Sequence, residues 1–196
     1  MDHHSELPTV RLESGTAIAQ ASPWHSSPVT LDSPGLDVMT DLTKVKAATA
    51  HPSVSLREAE QIMIFQGVRM LFVVTDMPSI EGLITTNDLM GEKPMSVVHA
   101  RKVHRDELCV ADVMTGRDML HAVDYDRLKS ASVGNAIATL KKVGLNHLLV
   151  VERATAQTPR RIRGVISRSQ IERQLGSTVD IAPIANTFSE IERALL

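Results

Sequence analysis

Asp37-Val38-Met39-Thr40 returns 75 residues later as Asp112-Val113-Met114-Thr115. The residues after each copy are repeated as well: the run Ser55 to Asp88 lines up with Ser132 to Gln170. Self-similarity at a fixed spacing has to be read before any local signal, because it sets the architecture. One small unit is used twice, and the function depends on how the two copies face each other.

Beyond the first tetrapeptide, a short apolar stretch, Val45 to Ala50, is closed by His51-Pro52. Ser55-Leu56-Arg57-Glu58 then has the form of a capping box, in which a hydroxyl and a carboxylate satisfy each other's orphan amides. Leu56, Ala59, Ile62 and Met63 continue at helical spacing, and Gly67 stands where a helix stops. Val68 to Val74 reads as a strand, Asp76 to Ser79 as a turn and Ile80 to Ile84 as a second strand. Thr85 to Met90 opens a second helix, which Gly91 and Pro94 are expected to close.

The second copy keeps this order. After an irregular stretch around Tyr125, Ser132 caps a helix through Val143 that Gly144 ends. Leu145 to Val151 and Ile162 to Ile166 are strands, separated by a loop over Arg153 to Arg161. Ser167 to Leu175 is a helix ended by Gly176. Each copy reads strand, helix, strand, strand, helix, which predicts an α/β (α+β) protein of two tandem β-α-β-β-α repeats.

The expected segments are an extended arm over 1–34, a first repeat over 35–92, and a connection over 93–111 with a helix from Met95 to Val103. A second repeat occupies 112–176, and a tail 177–196. Trp24 is expected to dock the arm on the body. The capping pattern Thr187-Phe188-Ser189-Glu190 predicts a short amphipathic helix in the tail.

The bulk numbers narrow the function. Of the 196 residues, 43% are hydrophobic and only 3% aromatic, so the core is aliphatic. Lys and Arg number 21 against 23 Asp and Glu, without the basic excess of a dedicated nucleic-acid binder. The single cysteine, Cys109, excludes an internal disulfide and a cysteine-cluster zinc site, and is read as a small buried hydrophobe. No apolar run approaches the roughly 18 to 20 residues that span a bilayer. The first fifteen residues lack the apolar core of a secretory signal, so the expected location is the cytoplasm.

The ordered set (Asp-Val-Met-Thr, a capped helix ending in Gly, an apolar strand, then Gly-hydrophobic-Ile-Thr-x-x-Asp) resembles the CBS domain, named for cystathionine β-synthase. Two in tandem resemble the CBS pair called a Bateman module, and the likeness covers roughly residues 35–176. The resemblance implies a regulatory, ligand- or energy-sensing module and not an enzyme. It implies two repeats packed about a pseudo-twofold axis, with two clefts that take adenosine compounds such as AMP, ADP, ATP or S-adenosylmethionine. It also implies a flat homodimer and a protein partner whose activity is modulated. No cofactor is required.

By the same resemblance the nucleotide in the first cleft meets Thr85 and Asp88. Asp88 is expected to accept both ribose hydroxyls, work suited to an ionised carboxylate that is acceptor-only. Thr85 offers a hydroxyl toward ribose or phosphate. Ala48, Thr49, Ala50, Met70 and Phe72 are the expected walls for the base. Thr-x-x-Asp before a helix is equally a plain N-cap pattern that needs no ligand. The second copy departs from the motif: Ser167 keeps the hydroxyl but Gln170 replaces the carboxylate. Ser167, Gln170 and His147 therefore define a degenerate second cleft, either empty or suited to something other than a ribonucleotide.

Arg153, Arg160, Arg161, Arg163 and Arg168 form either a solvated basic loop or a phosphate or partner contact, and Lys44, Lys46 and Arg69 are lesser candidates near the first cleft. No metal site is expected: His3-His4 has no spaced partner, and His99 and His104 do not share a helix face. No nucleophile–base pair or Gly-rich phosphate loop is present. Two readings stand side by side, a nucleotide-responsive regulator and a ligand-free dimerisation module whose clefts are closed by its own side chains.

Overall fold

A computed structural model describes residues 7–17, 27–155 and 158–181. Trp24 and the expected tail helix fall outside the described residues.

The strands are β1 (Met39–Asp41), β2 (Thr49–Ala50), β3 (Met70–Val73), β4 (Gly82–Thr85), β5 (Thr115–Gly116), β6 (Ala122–Asp124), β7 (His147–Glu152) and β8 (Arg161–Ser167). The helices are α1 (Leu56–Gln66), α2 (Thr86–Met90), α3 (Glu92–Arg101), α4 (Val110–Val113), α5 (Tyr125–Lys129), α6 (Val133–Val143) and α7 (Arg168–Leu175). The strands form two four-stranded sheets, ordered β5-β4-β3-β2 and β1-β8-β7-β6. The α/β class with two tandem repeats is therefore correct.

The punctuation behaves as its chemistry requires. The Ser55 and Ser132 hydroxyls accept the amides of Glu58 and Asn135. Gly67, Gly144 and Gly176 end α1, α6 and α7 at φ of 63°, 65° and 68°, a region where a side chain is strained. Pro94 acts differently from expectation: Gly91 ends α2, and Pro94 sits in the first turn of α3, where a missing amide costs nothing. The irregular stretch at Tyr125 is the short helix α5, capped by the Asp124 side chain. Cys109 is only partly buried. It caps α4 as Thr85 caps α2, with its amide 2.8 Å and its Sγ 3.2 Å from Asp112 Oδ2.

Alternation along the strands builds three cores. Leu71 and Val73 point one way, onto Leu56, Ala59 and Met63 of α1. Leu148, Val150 and Ile166 face Ala136, Ile137 and Leu140 of α6 and Ile171 of α7 in the same manner. Residues of opposite parity, Met70, Phe72 and Leu83 from one sheet and Leu149 and Val165 from the other, pack together between the sheets. The order of layers is helices, sheet, sheet, helices.

The tetrapeptides do not stay with their own repeats. β1, which begins in the first Asp-Val-Met-Thr, pairs with β8, Met39 opposite Ile166 and Asp41 opposite Gly164. β5, which begins in the second, pairs with β4, Leu83 opposite Thr115 and Gly82 opposite Gly116. The segments ahead of them cross in the same reciprocal way: the Val110 and Ala111 amides donate to the Val54 and Pro52 carbonyls, and the Val133 and Gly134 amides donate to those of Ser33 and Leu31. Each repeat thus completes the sheet of the other, which gives the pair its pseudo-twofold symmetry.

Candidate functional site

Thr85 is the last residue of β4 and the N-cap of α2. Its hydroxyl lies 3.4 Å from the Asp88 amide, and Asp88 Oδ2 accepts from the Thr85 amide at 2.9 Å and from its hydroxyl at 2.7 Å. The capping box is complete, so the plain capping role of Thr-x-x-Asp is realised. It does not exhaust the carboxylate. Asp88 is buried, and its Oδ1 receives the ammonium of Lys93, from the first turn of α3. That ammonium also approaches Thr115 Oγ1 at 3.2 Å and the Val113 carbonyl at 3.5 Å, both in the second tetrapeptide. α2 is only five residues long and its N-cap amide is taken by Asp88, so helix-end attraction for anions contributes little here.

These groups form one wall of a cleft of about 740 Å³. Leu120, His121, His147, Leu149, Arg168 and Glu172 form the wall opposite, and Arg69 joins from the end of the turn after α1. The sheets pack face to face, so the end of β4 in one repeat opens on the start of β7 in the other. His147, expected in the second cleft because it belongs to the second copy, accordingly lines the cleft of Asp88. Burial holds its imidazole neutral down to about pH 4, Arg69 pushes the same way, and Asp88 opposes both. The volume is in the range of small-molecule sites.

Ala48, Thr49, Ala50, Met70 and Phe72 are not among the residues lining this cleft. Ala50 is buried beneath α1, and Met70 and Phe72 belong to the core between the sheets. Their pseudo-symmetric counterparts His121, His147 and Leu149 do line it. Pairing the first motif with the second copy's wall would have found them; pairing each motif with its own repeat does not. Lys93 carries no sequence signal, because its position five residues past Asp88, across the break at Gly91, belongs to no helical period.

In the second copy the Gln170 amide donates to Ser167 Oγ at 3.2 Å, the same backbone cap as in the first. Its side chain turns away from Ser167: Nε2 donates to Gln174 Oε1 at 3.0 Å, and Oε1 accepts from Arg173. Gln174 in turn donates to the carbonyls of Ser27 and Asp37. Both glutamines are buried, Gln174 holding the segment that leads into β1 and Gln170 holding Gln174.

The arginines expected as a basic loop are largely paired. Arg153 bonds Asp124, Arg161 bonds Glu152, Arg163 bonds Asp41 and Glu152, and Arg168 bonds Glu172. The hydrogen bond from Arg163, more than burial can offset, holds Asp41 far below the usual carboxylate range. Among the described residues no group of three His, Cys, Asp or Glu could hold a metal ion, and no helix is long and apolar enough to cross a membrane.

Compared with known families, residues 36–94 match the CBS domain. No curated protein matches the chain. Among solved structures, an uncharacterized conserved protein from Pyrococcus horikoshii is similar with a TM-score of 0.53 and 19% identity, over 79% of this chain and all (100%) of that one. The CBS domain pair of protein MJ0100, solved in complex with 5′-methylthioadenosine and S-adenosyl-L-methionine, has a TM-score of 0.50 and 21% identity, over 76% of this chain and 98% of that one. The fold of the chain as a whole is that of a CBS domain pair.

Proposed function

We propose that this chain is a regulatory module that binds an adenine ribonucleotide (AMP, ADP or ATP) in the cleft between Thr85–Asp88 and His121–His147. Occupancy modulates a protein partner in the cytoplasm. The observation that carries the reading is a buried carboxylate at the edge of a cleft that also presents the cations Arg69, Lys93 and Arg168. A ribose diol needs an acceptor of that kind, and phosphates need such cations. The adenosine compounds held by the MJ0100 pair support the adenosine part of the ligand, and the cations of the cleft support its phosphate. The repeats are taken to run over 35–92 and 112–176, joined by 93–111, and no catalytic step is assigned.

A ligand can shift the equilibrium between two arrangements of the repeats only by its differential affinity for them. Lys93 lies where such a difference arises, since it ties Asp88 of one repeat to Val113 and Thr115 at the start of the other. Calorimetric titration with AMP, ADP, ATP and S-adenosylmethionine tests the reading, with Asp88→Ala as control. Binding by the wild type that is lost in the variant is the expected result. Absence of heat with every compound, or unchanged binding by the variant, would overturn it.

A second element of the proposal is homodimerisation. Ile64 and Phe65 on α1 are 65% and 94% exposed, an unusual position for adjacent large apolar side chains. Light scattering is expected to give twice the chain mass, reduced to the chain mass by Phe65→Glu. If dimerisation occurs and no nucleotide binds, the ligand-free interaction module is the better description, in keeping with the inward-turned Gln170.

A further inference from the structure

We infer that Lys93 makes the cleft selective for phosphorylated ribonucleosides over the same nucleosides without phosphate. This selectivity rests on the proposed reading of the cleft as a ribonucleoside site and adds the residue that sets its charge preference.

Asp88 has little acceptor capacity to spare. Its Oδ2 is occupied by the two Thr85 donors, a pairing internal to the turn that no ligand can replace without unmaking the cap. Oδ1 is the oxygen left for a ribose, and Lys93 holds it. An ammonium has three donors, and this one has three oxygens to meet: Asp88 Oδ1, Thr115 Oγ1 and the Val113 carbonyl.

An uncharged nucleoside must therefore exchange the ion pair at Oδ1 for a bond from a neutral hydroxyl and return the ammonium to water. The hydroxyl bond keeps the charge of the carboxylate but gives up the attraction between two opposite charges at a buried oxygen, so that exchange is unfavourable. A nucleotide offers Lys93 a replacement anion at the moment its ribose takes Asp88, and the ammonium moves from carboxylate to phosphate without losing a charged partner. Lys93 is able to make that move, since its side chain is 50% exposed while that of Asp88 is 11% exposed. Arg69 stands exposed at the same cleft and reinforces the preference.

The experiment compares AMP with adenosine, which differ only in the phosphate, by calorimetry on the full chain. The wild type, Lys93→Met, Lys93→Gln and Lys93→Arg are titrated, with each fold verified by circular dichroism. In the wild type AMP is expected to bind at least about tenfold more tightly than adenosine, equivalent to about 1.4 kcal/mol. In both neutral variants the ratio falls toward one from both sides: AMP weakens, and adenosine tightens because Oδ1 has been freed. Lys93→Arg keeps the preference. An unchanged ratio in the neutral variants would overturn the role of Lys93 and leave the cleft's ribonucleoside reading intact. If neither compound binds to the wild type or to any variant, both are overturned.

Discussion

Arg163 of β8 holds both carboxylate oxygens of Asp41 in β1, Nε to Oδ1 and Nη2 to Oδ2, each at 2.9 Å. Its remaining Nη1 donates to Glu152 at 2.9 Å, and its guanidinium lies 5.1 Å from the centre of the Tyr125 ring. The pair fastens a strand that begins in the first tetrapeptide to the sheet of the second repeat. The Asp41 and Arg163 side chains are only 12% and 20% exposed, so water screens them weakly.

Asp41→Asn or Arg163→Met is therefore expected to destabilise the chain by about 2 kcal/mol, the range for hydrogen bonds to charged groups. Urea unfolding of the two single variants and the double variant measures it. The double variant should lose less than the sum of the singles, because the two residues act through one another. The folded carboxyl of Asp41 titrates below its unfolded value of about 3.9, so this stability is fully present above that pH and fades as pH falls beneath it.

His147 predicts a second acid effect in a different window. Its folded value is pushed down to about 4 from 6.5, so between these two pH values the unfolded chain binds a proton that the folded chain refuses. Stability then rises with pH across that interval and is lost as pH falls from about 6.5 to about 4, by at most about 3 kcal/mol. A proton NMR titration should place the His147 midpoint well below that of an exposed histidine. A midpoint near that of a free imidazole would contradict the burial behind this expectation. His147→Gln should flatten the stability profile in the same interval.

Two glycines of the repeated Gly-hydrophobic-Ile motif are explained by the exchanged strands. A Cβ on Gly82 would lie 2.5 Å from the Thr115 carbonyl oxygen, and one on Gly164 2.6 Å from that of Thr40. Both obstacles are backbone of the strand supplied by the other tetrapeptide. Gly82→Ala and Gly164→Ala should each cost about 1–3 kcal/mol, as overpacking typically does. A Cβ on Gly116 meets nothing within 4 Å, so Gly116→Ala is the neutral control. Thermal melts of the three variants separate the cases.

Gln174 holds the approach to β1. Truncation to Ala removes the donor to the Ser27 and Asp37 carbonyls and the acceptor for Gln170 Nε2, at a cost of about 1–3 kcal/mol. Limited proteolysis should then cut near Ser27 to Leu31 faster than in the wild type. Equal cleavage rates would show that the buried Val29 side chain and its amide bond to the Gln174 carbonyl, which survives the truncation, are enough to hold the segment.

The local structure is legible in the amino-acid order alone. Ser55, Thr85, Ser132 and Ser167 start helices, and Gly67, Gly144 and Gly176 end them, because capping and positive φ are settled by a few neighbouring residues. β3 and β7 are legible as strands because each is a short, nearly continuous apolar run, the pattern of a strand buried on both faces. The duplicated order of elements, joined to the family likeness, is enough for the architecture.

Which repeat each tetrapeptide serves is settled by the folded chain and not by its local pattern. β1 and β5 are three and two residues long, too short to carry a pattern that names a partner, and their pairings with β8 and β4 join residues far apart in the chain, such as Met39 with Ile166 and Leu83 with Thr115. The exchange in turn places Thr115 beside Lys93, while face-to-face packing sets His147 across from Asp88. The doubled tetrapeptide announces two copies. That each copy is closed by the other depends on contacts distant in sequence, and no local pattern encodes them.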